Sequence, residues 1–238
     1  MPHRAAFYID GFNLYHAIDE LNQPHLKWLD LWALGTRLIT PDSELVRIVW
    51  CTAIDTKNVP KMLRHREYRK AVESTGVIAV EGHFTVEDME CRECGHVWAK
   101  RTEKQGDVNV AVNLISDGHA GLYDCAYLLT ADSDQAATAR IFRDRLPEKR
   151  IVSVAPPMRE HSFHVLQHTH DKKAISVSDL EWCLFPNPVL KGGAFVCARP
   201  NEYEPPRGWK NPRAAKISLP KKVIEEEAQL AAPETEAS

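Results

Sequence analysis

No stretch of this 238-residue chain approaches the roughly 20 uninterrupted apolar residues that a membrane-spanning helix needs, so a helical span is excluded. The opening "MPHRAAFYIDGF" lacks the long apolar core and small-residue cleavage site of a secretory signal. Six cysteines are too few for a dense disulfide framework, and reduced thiols in a cytoplasmic setting are expected. A large charge of one sign is also missing. The net charge of −3 excludes a protein that coats nucleic acid by charge alone. No G-x-G-x-x-G follows an apolar run, so the usual dinucleotide fingerprint is absent.

What is present is an ordinary globular composition, 44% hydrophobic and 26% charged. Apolar runs of strand length recur at 5–9, 45–53, 77–84, 125–131 and 150–156, with a short one at 174–177. Segments of helical character lie between them: 12–21, 29–39, 58–74, 107–118 and 134–146, then 161–170 and 178–185. In "DVNVAVNLISDG", Val108, Ala111, Val112 and Ile115 repeat at helical spacing and predict the buried face. Strands alternating with helices predict an α/β three-layer Rossmann-like sandwich with a mainly parallel sheet. A single domain is expected over 1–185, interrupted by a small Cys-containing insertion at 86–103. The Pro-, Lys- and Glu-rich residues 186–238 read as a largely disordered extension.

The run "AAFYIDGFNLY" ends a hydrophobic strand on a carboxylate, Asp10. Ligands of an open parallel sheet bind beyond the C-terminal ends of its strands. Asp10 follows the first strand, Asp132 and Asp134 follow the one at 125–131, and Asp107 opens the helix that feeds it. If those two strands are neighbours, four carboxylates converge. Clustered like charges need a cation, and an all-oxygen set suits Mg²⁺ or Mn²⁺. Such ions activate water against a phosphodiester. Each acid has a plainer use: Asp132 to Asp134 and Asp107 suit helix caps, and Asp10-Gly11 suits a turn. Asn13 could bind a phosphate oxygen or cap the helix, and Ser133 has the same two uses. The segment "KNVPKMLRHREYRK" carries six Lys or Arg against one Glu, which makes either a rim for nucleic acid or a solvated helix face.

"CRECGH" sets Cys91 and Cys94 at the spacing of half a zinc site. No second C-x-x-C exists, so a structural Zn²⁺ would need His83 and His96, or a second subunit of a homodimer. Two ordinary thiols are the alternative. Cys51, Cys125 and Cys183 suit the core, and Cys197 carries no signal. His161, His164 and His168 share a helical face by spacing, which serves either iron or zinc, or solvent.

"FYIDGFNLYHAI", "EKQGDVNVAVNLISDG" and "AYLLTADSDQAATARIFRD" together resemble the NYN domain, a branch of the PIN-like nuclease superfamily, over roughly residues 5–183. The resemblance implies RNase activity on an RNA partner at an Mg²⁺ or Mn²⁺ centre. Asp10, Asp107, Asp132 and Asp134 match the family's acidic positions, and Asn13 its characteristic asparagine. The same family includes proteins named as 6-hydroxy-3-succinoylpyridine 3-monooxygenases, NADH-dependent hydroxylases of nicotine degradation. That resemblance implies a hydroxypyridine substrate with NADH, and flavin, haem or iron for the oxygen step. A non-catalytic RNA-binding module is the third expectation.

Overall fold

The strand of residues His3–Asp10 (β1) is apolar on both faces because it lies in the middle of a sheet covered on both sides. A computed structural model describes residues 2–213 of the chain. After β1 come helices Gly11–Asp19 (α1) and Leu31–Leu38 (α2), strand Ser43–Thr52 (β2), helix Val59–Ser74 (α3) and strand Ile78–Glu81 (β3). A hairpin of His83–Glu90 (β4) and Val97–Lys104 (β5) intervenes before helix Gly106–His119 (α4). The chain then runs through Cys125–Leu129 (β6), Ala136–Arg145 (α5), Arg150–Ala155 (β7), Phe163–Leu166 (α6), Asp171–Ala174 (β8) and Val177–Trp182 (α7). Strands Val189–Lys191 (β9) and Ala194–Cys197 (β10) form a last antiparallel pair.

The main sheet has six strands in the order β3-β2-β1-β6-β7-β8, all parallel. The chain winds outward from β1 through β2 to β3, then returns to the other side of β1 as β6. That reversal makes the gap between the ends of β1 and β6 the natural ligand crevice of the fold. The predicted α/β sandwich is therefore the observed one. Among the described residues, no helix is long and apolar enough to cross a membrane.

Side-chain alternation along β1 divides the core. Phe7 and Ile9 pack with Leu14, Ile18, Leu34 and Val72 on one face of the sheet. Ala6 and Tyr8 pack with Val110, Leu114, Ala139 and Phe142 on the other. The face of α4 differs from the spacing-based expectation. Val110, Leu114, Asp117 and Gly118 are buried, whereas Val108 and Val112 are exposed. Asp117 fixes this rotation, because its Oδ2 accepts the Tyr8 hydroxyl at 2.8 Å and the Arg47 Nε–H at 2.6 Å.

Three further expectations are corrected. The run at 77–84 breaks at Gly82, so His83 and Phe84 open the hairpin, which spans 83–104 rather than 86–103. The segment 161–170 holds only the four-residue α6, because His170 N–H donates to the Ile151 carbonyl at 2.8 Å and starts β8. His161 precedes that helix and His168 follows it, so the three histidines share no helical face. The segment after 185 is structured as far as 213: Val189, Cys197 and Tyr203 are buried against the core that contains Trp28. The remainder of the extension, 214–238, lies outside the described residues.

Candidate active site

Gly11 decides how closely α1 approaches the sheet. A Cβ there would lie 2.5 Å from Trp50 Nε1 and nearer still to the Cys51 carbonyl oxygen. Glycine therefore lets α1 start immediately after Asp10, with the carboxylate at the helix entrance. Asp10 is buried at the end of β1, its Oδ1 accepting the Asn13 N–H at 3.0 Å as an N-cap. Its Oδ2 accepts the Thr130 hydroxyl at 3.2 Å, and the same Thr130 oxygen accepts the Asp132 N–H at 3.0 Å. Thr130 thus links the two loops that carry Asp10 and Asp132. Asn13 links them a second time, its Oδ1 accepting the Ala131 N–H at 3.0 Å.

Asp10, Asn13, Asp107 and Asp132 line one pocket at the β1/β6 crevice, with Glu103, His16 and Arg159 around them. Asp107 stands in the first turn of α4, where the buried Gln135 Nε2 donates to its Oδ1 and to its carbonyl, each at 3.1 Å. Burial pushes the Asp10 carboxyl up to about 6, and the charges of Asp107 and Asp132 add to that rise against the bonds from Asn13 and Thr130. Glu103 is also raised, by burial first and Asp107 next, while it accepts the Gly106 N–H at 2.9 Å.

Not every expected residue joins this group. Asp134 and Ser133 are exposed in the short 3-10 turn after Asp132 and are not part of the pocket lining. The Asp134 N–H is capped by Asp132 Oδ1 at 2.9 Å, so Asp132 has both the capping use and the pocket position. Glu103, Gln135 and Arg159 were not anticipated. Glu103 had a local signal, four residues before Asp107 at the edge of the insertion; Gln135 and Arg159 had none, since their roles depend on packing.

The donor set is oxygen-only, as Mg²⁺ and Mn²⁺ prefer. Among the described residues, no three His, Cys, Asp or Glu side chains form a closed group able to hold a metal. Mg²⁺ in general binds through one or two carboxylates and keeps several waters. The carboxylates retain capacity for it, since each offers about four lone-pair sites. Asp10 is the N-cap of α1, so a carboxylate stands at the helix entrance where a dinucleotide-binding turn of the usual kind has glycine.

Cys91 and Cys94 lie at the tip of the β4–β5 hairpin, where the Cys91 N–H donates to the His96 carbonyl at 2.9 Å. His83 is excluded as a partner. It pairs with Lys104 at the base of the hairpin, on the order of 20 Å from the tip at about 3.3 Å per residue. The His96 ring stacks with Trp98 at 6.0 Å.

The basic segment forms much of α3, and three of its six Lys and Arg are paired within the chain. Arg64 pairs with Glu202 and Arg69 with Glu73, each at 2.8 Å, and Lys70 pairs with Glu67 at 2.5 Å.

No known family profile matches the chain. A curated protein of Pseudomonas putida, named 6-hydroxy-3-succinoylpyridine 3-monooxygenase, is 25% identical to it over 227 residues, covering 79% of this chain and 72% of that protein. A solved protein of unknown function from Vibrio parahaemolyticus is 17% identical, with a TM-score of 0.48 over 73% of this chain and 93% of that one. A hypothetical protein from Neisseria gonorrhoeae, solved with bound ppGpp, has a TM-score of 0.24 at 9% identity over 74% of this chain and 86% of that one.

Proposed function

We propose that the chain is a metal-dependent phosphodiesterase acting on RNA, with its site at the β1/β6 crevice. One observation carries this reading: Asp10, Asp107 and Asp132 come from three separate segments and line a single pocket at the reversal point of the sheet. Mg²⁺ or Mn²⁺ would be held through one or two of these carboxylates and its own waters. The ion, when bound, supplies the Lewis acidity that phosphodiester hydrolysis requires.

The chain's own side chains set the geometry. Thr130 and the Asn13 N–H each occupy one Asp10 oxygen, which fixes the plane of the carboxylate. Gln135 orients Asp107. Arg159, whose guanidinium is paired with Glu20 at 2.5 Å, also lines the pocket, and guanidinium geometry suits a phosphate. In the hydrolysis, water oxygen bonds to phosphorus, the bond from phosphorus to one sugar oxygen breaks, and that oxygen takes up a proton.

Labelled RNA incubated with Mg²⁺ or Mn²⁺ tests the proposal. Cleavage is expected from the native chain and not from Asp10→Asn combined with Asp132→Asn; cleavage undiminished in that variant would remove it. RNA binding without turnover would favour the non-catalytic alternative.

The Pseudomonas relative favours a second reading, hydroxylation of a hydroxypyridine ring. NADH oxidation that depends on 6-hydroxy-3-succinoylpyridine would support it.

A further inference from the structure

On the other side of α1 from the acids lies a second pocket, aromatic where the first is anionic. Phe12 belongs to the walls of both. Trp50 stacks on His65 with centroids 5.5 Å apart and planes inclined by 22°. Tyr68 meets Trp50 edge-on at 5.4 Å, and Phe84 of the hairpin meets Phe12 edge-on at 5.7 Å. Thr52 Oγ1 and His65 Nε2 lie 3.3 Å apart, a polar pair among the aromatic residues of the lining. Burial, with Lys61 and Arg69 adding to it, lowers the His65 imidazole to about 4, so it is neutral and offers both a donor and an acceptor.

The charges around this pocket are unbalanced. Lys27 and Lys61 both place their ammonium groups 4.9 Å from the Tyr15 ring centroid. Lys27 is paired with Asp19, and Asp55 on the pocket wall with Arg101. Lys61 forms no ion pair among the described residues. A ligand that fits must present a flat ring to the aromatic walls and an anion to Lys61.

Resting on the phosphodiesterase reading, we infer that this pocket is a base-binding subsite. One nucleobase of the substrate strand packs against the half-buried rings of Tyr15 and Phe84, and its phosphate lies against Lys61. The shared Phe12 wall places that base one side chain away from the acids at which the neighbouring phosphodiester is cut. Stacking accepts every base face, while the Thr52–His65 pair reads the base edge. The subsite would then select the nucleotide beside the cut.

The test is titration of the full-length protein with 5′-UMP and 5′-AMP in EDTA, followed by calorimetry, with cleavage of labelled RNA measured separately in Mn²⁺. Binding of at least one mononucleotide, weakened about tenfold by Tyr15→Ala and severalfold by Lys61→Ala, is the expected result. Both residues are only half-buried, and unchanged circular dichroism checks that the variants fold. Asp10-dependent cleavage without mononucleotide binding would overturn the subsite and leave the phosphodiesterase reading standing. Mononucleotide binding that depends on Lys61, in a chain that cuts no RNA, would retain the subsite and remove the phosphodiesterase. Binding of 6-hydroxynicotinate in place of either nucleotide would overturn the subsite in favour of a free aromatic acid.

Discussion

The acid pocket and the hairpin tip each gather side chains of types that can ligate metals, and they are built in opposite ways. Asp10, Asp107 and Asp132 are far apart in sequence and meet because parallel strands end side by side. Cys91 and Cys94 are three residues apart and lie where an antiparallel ribbon turns back into solvent. The first site is closed around by α1, α4 and the β6 loop. The second has two thiols beside His96; among the described residues neither place forms a group of three or more His, Cys, Asp or Glu able to hold a metal. Local spacing made the cysteines conspicuous, whereas the topology of the sheet brought the carboxylates into one pocket.

The largest expected effect is on turnover at the acid pocket. Asp10→Asn or Asp132→Asn should each lower RNA cleavage by about 100- to 1,000-fold, on the order of 3 to 4 kcal/mol of transition-state stabilisation. Initial rates in saturating Mn²⁺ measure it, and equal rates would erase the contrast with the cysteines.

Stability should move the other way. In the folded chain Asp10 keeps its proton up to about pH 6, whereas an unfolded aspartate loses it near 3.9. Its ionisation therefore opposes folding increasingly from about pH 4 to pH 6, and the whole penalty is present above that window. Asp10→Asn, which keeps the N-cap, should stabilise the metal-free protein by on the order of 2 to 3 kcal/mol at pH 7.5, the gain shrinking to nothing near pH 4. Urea unfolding in EDTA at the two pH values decides this, and a loss of stability at pH 7.5 would contradict the burial of an uncompensated carboxylate.

Gln135→Ala frees Asp107 from its orienting amide. It should reduce cleavage by about 10- to 100-fold, with a higher Mn²⁺ requirement that simple loosening of the fold would not produce. The smallest effect is expected at the hairpin tip. Cys91→Ser with Cys94→Ser should leave RNA cleavage within about twofold of native, since nothing at the tip touches the acid pocket. A tenfold loss would show that the arm takes part in the reaction.

Much of the fold was legible because its signals are local. Apolar runs marked β1, β2, β6 and β7, and the alternation with helices implied a parallel sheet. Where tertiary packing decides, the sequence misled. The rotation of α4 depends on Asp117 meeting Tyr8 and Arg47, three residues whose partnership no periodicity reveals. The helix expected over 161–170 is confined to Phe163–Leu166, because the chain must turn before it pairs with β7 as β8 from Asp171. At the site, Asp10, Asp107, Asp132 and Asn13 were legible from their places at strand and helix ends. Thr130 and Gln135 were not, because a residue that holds another side chain carries no pattern of its own.

The Asn13 bond to the Ala131 amide has one more consequence. It fastens the first turn of α1 to the loop after β6, so thermal breathing of either segment carries the other with it. The spacing of Asp10 and Asp132 is thereby insulated from the motion of the outer strands, and a mutation at the sheet edge can soften the molecule without detuning its centre.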